Sequence, residues 1–305
     1  MKRICFLLGF ICLLTKTGLS QSADSTTMLF DITIASNPYL KGFNSASVIA
    51  FTIYNNTLFV INKDKSIEIN LQNGTISPNK VVTDFIKKLP KDRNYVSQIK
   101  VTEDGYYVTV FFDLYHIAKN GMVKKVYTMS RFISDVYVAN DQLIVGNIDS
   151  VVLIGKDGKL QKTWSFPSMG VNGYIKAETD LYYTANGEDS TLEFQSNNAN
   201  GLSVHSYPPV SELKKIKEPY LAYVSDKYFI VFPYAGRNII YAVKKDMNKL
   251  EVYKAVKVKG VNLTATLAQM QEEEGDPNIK VGYDNNVYYI LSVIKGKLKI
   301  LSFTI

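Results

Sequence analysis

The chain has 305 residues and 46% apolar content, enough to bury a sizeable core, and its 35 basic against 28 acidic residues give a formal net charge of +7. The lysines are scattered among acids, which reads as a solvated surface and excludes a nucleic-acid footprint. Only two histidines and two cysteines are present, which argues against catalytic triads built on histidine and against a disulfide framework.

Lys2 and Arg3 precede an apolar run from Ile4 to Leu14, and Gly18-Leu19-Ser20 puts small residues just before Gln21. This order of charge, apolar core and small residues is that of a secretory signal peptide, and the run is too short to span a bilayer. Phe10-Ile11 ahead of Cys12 argue against lipidation there. We expect a signal peptide over residues 1–20 and one domain over 21–305. Cleavage would remove both Cys5 and Cys12 and leave 32 basic against 28 acidic residues, a net +4. A cysteine-free exported protein of this size points to a bacterial source and a periplasmic or extracellular location. Sequons at Asn55, Asn73 and Asn262 matter only in a eukaryotic source.

After a polar stretch, Met28–Ile34 (MLFDITI) is a lone strand rich in β-formers. Blade-like units follow, each of short apolar runs separated by polar turns. Unit one spans SVIAFTIY, TLFVIN and SIEIN, turning at Asn55-Asn56 and Asn73-Gly74. Unit two has YVSQIKVTE, YYVTVFF, LYHIA and MVKKVYTM, with turns at Asp104-Gly105, near Asp113 and at Asn120-Gly121. Unit three, Arg131 to Ser165, turns at Asn140-Asp141, Gly146 to Ser150 and Asp157-Gly158. Units four and five repeat the pattern from Gly173 to Tyr207 and from Tyr220 to Ala255. The third turn recurs at Gly74, Gly121, Gly158, Gly201 and Asn248, in steps of 47, 37, 43 and 47 residues. The first turn keeps phase with it at Asn56, Asp104, Asp141, Asp180 and Asp226. Asn-Gly and Asp-Gly suit the positive φ of tight hairpins, and this spacing is that of a β-propeller.

The last unit, NIKVGY, VYYILSVI and KLKILSFTI, has three strands only. An open edge invites aggregation, so the lone Met28–Ile34 strand is expected to complete it. The expected fold is all-β: a six-bladed β-propeller, its last blade built from three C-terminal strands and one N-terminal strand, with seven blades as the alternative. On turns such as Lys156-Asp157-Gly158-Lys159 and Glu103-Asp104-Gly105-Tyr106-Tyr107, nearly all of the mature chain resembles the secreted six-bladed propellers of the NHL and TolB-like families. These motifs are structural, and they carry no catalytic residue across.

In a propeller the inter-blade connections and the second turn of each blade share one face, here called the front. The first and third turns share the rear. Three long segments fall on the front: Val81 to Arg93, a short helix up to Pro90; Pro208 to Pro219; and Thr264 to Pro277. The second turns there carry Asp64, Asp113, Asp149, Glu188 with Asp189, and Arg237, and Tyr234 stands beside the last of these. Together they are the candidate binding residues, an acidic rim able to hold a cation or a basic or hydroxyl-rich ligand. No cofactor is expected. Calcium is the one ion that Asp149, Glu188, Asn147 and Asn186 would suit chemically. His116 and His205 lie in different blades without metal-ligand spacing, and HExxH, CxxC, GxSxG and P-loop motifs are absent from the sequence. The pairs Tyr106-Tyr107, Tyr182-Tyr183 and Tyr288-Tyr289 open second strands, where one ring of each pair should face each neighbouring blade. The function expected is that of an exported, monomeric binding module that grips a protein or glycan on its front face, with no membrane span and no catalytic residues. The alternative is a metal-dependent hydrolase or lactonase-like enzyme, or a carbohydrate-active one.

Overall fold

A computed structural model describes residues 25–43, 49–91, 95–139, 142–147, 150–165, 174–177, 180–186, 192–198, 204–206, 219–225, 227–233, 238–246, 249–263, 279–294 and 296–305. They form twenty-four strands in six four-stranded antiparallel sheets. Five sheets are each made of consecutive strands. Blade one holds β2 (Ile49–Tyr54), β3 (Thr57–Asn62), β4 (Lys65–Asn70) and β5 (Ile76–Pro78). Blade two holds β6 (Val96–Val101), β7 (Gly105–Val110), β8 (Asp113–Ala118) and β9 (Val123–Thr128). In blade three are β10 (Asp135–Ala139), β11 (Gln142–Gly146), β12 (Ser150–Gly155) and β13 (Leu160–Ser165). Blade four comprises β14 (Tyr174–Ala177), β15 (Asp180–Asn186), β16 (Leu192–Asn198) and β17 (Val204–Ser206). Blade five comprises β18 (Pro219–Val224), β19 (Tyr228–Pro233), β20 (Ile239–Asp246) and β21 (Lys249–Lys257).

The sixth sheet is composite, in the order β1-β24-β23-β22. Here β22 (Ile279–Asp284), β23 (Val287–Ile294) and β24 (Lys297–Phe303) are joined by β1 (Thr27–Thr33), which pairs antiparallel with β24 from Thr27 opposite Ser302 to Thr33 opposite Lys297. Lys297 and Lys299 reach Asp31 across this pair, at 3.1 and 3.8 Å. The seven-blade alternative is corrected: among the described residues the strands divide into six fours and none is left over. First strands face the ring axis: β2 lies against β6 and β22, β6 against β10, and β18 against β22.

Strand alternation explains where the core sits. Along β3, Leu58 and Val60 pack toward blade six, while Phe59 and Ile61 pack toward blade two. Likewise Leu143 and Val145 of β11 face blade two, whereas Ile144 turns to the other side with Val151 and Trp164. Second strands are therefore covered on both faces and read as unbroken apolar runs. Two of the three tyrosine pairs obey the same rule, the side chains of Tyr182 and Tyr183 lying outside the described residues: Tyr106 joins the core between blades one and two, and Tyr107 the core between two and three. Tyr288 and Tyr289 divide the same way around blade six. Burial raises Tyr107 to about 12, so its hydroxyl stays protonated at any physiological pH.

The rear turns are tight. Asn55 and Asn56 carry φ of 48° and 57°, and Asn285 and Asn286 repeat this at 49° and 64°. The last of these turns is thus one residue later than the Asp284-Asn285 step expected from sequence. On the front, α1 spans Lys80–Lys88, in the segment expected to be helical up to Pro90 and starting one residue earlier than Val81. It starts where Asn79 caps the Val82 amide at 3.0 Å, and Pro90 follows its end. Of the expected segment Pro208 to Pro219 only Pro219, the first residue of β18, is described, and the segment Thr264 to Pro277 lies outside the described residues.

Candidate functional site

Of the residues proposed for an acidic rim, two are described. Asp64 is exposed in the β3–β4 turn. Asp113 is not a turn residue as expected but the first residue of β8, and its carboxylate is engaged within its own blade. It accepts hydrogen bonds from the Thr128 hydroxyl at 2.5 Å and the Tyr115 hydroxyl at 3.3 Å, and pairs with Lys125 Nζ at 3.3 Å. A carboxylate so held joins strands and has little capacity left for a ligand. Asp149, Glu188, Asp189, Arg237 and Tyr234 lie outside the described residues. Asn147, weighed as an ion ligand, is buried and uses its side-chain oxygen to close its own turn, accepting from the Ser150 amide at 2.8 Å and hydroxyl at 3.1 Å. Among the described residues, no group of three or more His, Cys, Asp or Glu side chains is placed to hold a metal ion.

His116 sits on β8 with its ring 4.8 Å from that of Tyr107 and its Nε2 3.7 Å from Asp104. The Thr102 hydroxyl hydrogen-bonds the Asp104 carboxylate, and with it the backbone amide and His116 hold that carboxyl below the usual range. This is a packing histidine between blades two and three. His205 belongs to β17, whose side chains are not described.

What the sequence reading missed is a cluster of aromatic rings on the front, between blades two and three. It rests on two segments. The β7–β8 hairpin turns through Phe111 and Phe112, and Phe111 takes a left-handed φ of 53° that few bulky residues adopt. The connection from β9 to β10, residues 129–134, is bonded onto this turn: the Met129 amide donates to Phe112 O at 2.8 Å and the Ile133 amide to Phe111 O at 2.9 Å. Met129 and Ile133 are buried anchors, which leaves Phe132 facing out. The connection is tied further at its far end. Ser97 Oγ donates to Ile133 O at 3.1 Å, Gln98 Nε2 to Ser134 O at 3.0 Å, and the Ser134 amide to Gly146 O at 2.9 Å.

Around these anchors the rings of Tyr95, Phe111, Phe112 and Phe132 form a closed set. Phe111 and Phe132 are 5.0 Å apart at 60°, Phe112 and Phe132 5.8 Å at 70°, and Tyr95 lies 5.9 Å from Phe111 and 5.6 Å from Phe132. Edge-to-face pairs at these distances are each worth about 0.5–1.5 kcal/mol beyond their burial. The outer surface nevertheless stays wet: Phe112 is 45% and Phe132 39% exposed. Helix α1 borders the cluster. Its Phe85 ring lies 5.2 Å from that of Tyr115, and Leu89 packs with Phe111 against the core between blades one and two. Lys87, Lys88 and Lys91 are exposed along this border, and Arg131 is exposed beside Phe132. The sequence did signal the site: a two-residue hairpin turn made of Phe-Phe, where Asn, Asp or Gly is the rule.

Blade five shows how front connections are held elsewhere. Asn238 donates from Nδ2 to Val258 O at 2.7 Å and Val261 O at 2.6 Å, and its Oδ1 accepts from the Leu263 amide at 2.7 Å. One side chain thus fixes the start of the connection to blade six.

Comparison with known proteins gives the fold and no family. No family model matches the chain, and no curated protein sequence matches it. Among solved structures, a chain of the mitotic checkpoint complex is similar at a TM-score of 0.52 with 10% identity, over 95% of this chain and 95% of that one. The Pan2 WD40 domain of Neurospora crassa aligns over 93% of this chain and 98% of its own with 11% identity and a TM-score of 0.49. The N-terminal domain of Nup159 does so over 92% and 95% with 12% identity and a TM-score of 0.47. At such identities the likeness concerns the fold alone, a β-propeller. Among the described residues, no helix is long and apolar enough to cross a membrane.

Proposed function

We propose that this chain is an exported interaction module, a monomeric propeller that grips a protein or glycan on its front face. The observation that carries the reading is the aromatic cluster. Rings of Phe112 and Phe132 are held by backbone hydrogen bonds and ring packing, yet kept exposed, on the face that carries the long inter-blade connections. Rigid aromatics in that state are typical anchors of binding surfaces, because they contribute contact area at small entropic cost. A fold of the same kind serves within an assembly in the mitotic checkpoint complex. Export is supported by the order of charge, apolar run and small residues over 1–20, and an NHL- or TolB-like type by the Asp157-Gly158 and Asp104-Gly105 turns. The enzymatic alternative rests on Asp149, Glu188 and Asp189, which lie outside the described residues.

Site-specific photo-crosslinking tests the reading. A photoreactive side chain at Phe112 on the front and another at Leu160, exposed beside the rear turn of blade three, are compared in the exporting cell. Adducts are expected from position 112 and not from 160. Adducts from 160 alone, or equal yields from both, would refute the choice of face.

A further inference from the structure

Resting on that reading, the geometry points to the partner's chemistry: we infer that the Tyr95–Phe111–Phe112–Phe132 cluster docks an acidic linear segment of a partner protein, one large apolar side chain flanked by Asp or Glu. The apolar half of the argument is the ring arrangement. The five ring pairs of the cluster meet at 45° to 70°, so they make a faceted seat with edges and faces that suits one inserted side chain. The Phe111–Phe112 turn and the 129–134 connection hold that seat from two sides.

The charged half is the border. Lys87, Lys88 and Lys91 are exposed and, among the described residues, have no carboxylate within ion-pairing distance. They follow one another along the connection that ends in Tyr95. The acids nearby are few. Asp113 is committed to Lys125, Thr128 and Tyr115, Asp135 pairs with Lys100 at 3.7 Å, and Asp84 is exposed on α1 one turn before Lys88. The border therefore offers net positive charge next to an apolar seat, which complements an anionic peptide with an apolar anchor. An anionic bilayer shares the charge but not the shape. Insertion would need outward apolar side chains rather than rings about half covered and turned against each other.

The test is a selection of phage-displayed random linear peptides on the immobilised chain, followed by fluorescence anisotropy of recovered peptides with soluble protein. Peptides carrying Asp or Glu around one aromatic or large aliphatic residue are expected. The double variant Phe112→Ser with Phe132→Ser should weaken them at least about ten-fold, the loss typical of an aromatic anchor. The triple variant Lys87→Glu, Lys88→Glu, Lys91→Glu should weaken them similarly and abolish the decline in affinity with added salt. The lysine side chains are exposed, so that variant should melt close to the parent. The double variant gives up the four ring pairs of Phe112 and Phe132 and should melt lower while staying folded, so its affinity is read well below its own midpoint. The inference is overturned if no acidic peptide is recovered, or if recovered peptides bind both variants unchanged. Phe112-dependent binding to phosphatidylserine vesicles without peptide recovery would also overturn it, assigning the patch to a membrane. If position 112 crosslinks a partner while peptides fail, this inference falls and the interaction-module reading stands; if neither works, both fall.

Discussion

The closure of the ring by the N-terminal strand makes a prediction that can be worked from one contact. Gly74, in the third turn of blade one, has a φ of +73°, and a Cβ placed there would stand 2.7 Å from Cε1 of Phe30 in β1. Substitution Gly74→Ala therefore meets two costs. The left-handed conformation costs a non-glycine residue about 1–2 kcal/mol. The overlap with Phe30 adds about 1–3 kcal/mol, the usual cost of overpacking. Phe30 is half-buried against the core between blades six and one, so Phe30→Ala alone should cost about 2 kcal/mol, below the 3–5 kcal/mol of a fully buried ring. In the double variant the overlap disappears and only the backbone cost and the lost ring remain. Equilibrium urea unfolding of the wild type, both singles and the double should thus show a double less destabilised than the sum, by about 1–3 kcal/mol. Each kcal/mol should also move the thermal midpoint by about 2–4 °C in a domain of this size. Single effects that add to within about 0.5 kcal/mol would refute the docking of β1 on the turn of blade one.

Burial pushes the Glu68 carboxyl above the ordinary carboxylate range. A carboxyl raised on folding binds its proton more tightly in the native state, so stability is lost as pH climbs from the ordinary value through the raised one. Glu68→Gln should therefore raise the urea midpoint at pH 7 and lose that advantage at pH 3; an equal gain at both would show that charge is not the cause. Asp113→Asn removes the ion pair with Lys125 at 3.3 Å and should cost about 0.5–1 kcal/mol in unfolding titrations while leaving acidic-peptide binding unchanged. Phe111→Asn relieves the left-handed strain of about 1–2 kcal/mol but loses ring packing of about 1.5–3 kcal/mol, so stability should fall by no more than about 2 kcal/mol while peptide binding drops. Binding at the parent level in that variant would separate the seat from function.

Much of the ring was legible because it depends on local, repeated chemistry. Rear turns demand positive φ, and Asn55-Asn56, Gly74, Gly121 and Gly158 supply residues that tolerate it. Alternation along second strands does the rest, and it places Tyr106 and Tyr107 on opposite interfaces. The split last unit was legible as a deficit of one strand at one end and a surplus at the other. The site was harder to read. The acidic rim was assembled from Asp residues in turns, but turn position says nothing about what a side chain bonds to. Asp113 illustrates the failure. Counting it into the turn shifted the β7–β8 hairpin by a residue or two and hid the fact that the turn itself is Phe111–Phe112. Its partners Lys125 and Thr128 lie on β9, an adjacency that follows only from the register of β8 with β9. Phe132 was likewise obscured, since nothing in Arg131-Phe132-Ile133 says which of the two apolar residues points inward.

The contrast between the turns of the two faces bears on why the front site exists at all. Where left-handed backbone is needed on the rear, the chain places Asn or Gly, which adopt it at little cost. On the front, the equivalent turns of blades one and two place Lys63 and Phe111, at φ of 51° and 53°, for which the same conformation costs about 1–2 kcal/mol. An asparagine in place of Phe111 would make the hairpin better, so hairpin formation does not account for the residue. The bonds that hold the turn do not account for it either, because Phe111 O and Phe112 O are backbone acceptors that any residue would offer to the Ile133 and Met129 amides. Interior packing explains part of Phe111, which lies against the core between blades one and two, but not Phe112, nearly half exposed beside it. What sets this turn apart from that of Lys63 is its pair of aromatics with one ring left in solvent, and that exposure, rather than the backbone, is what supports the proposed docking surface.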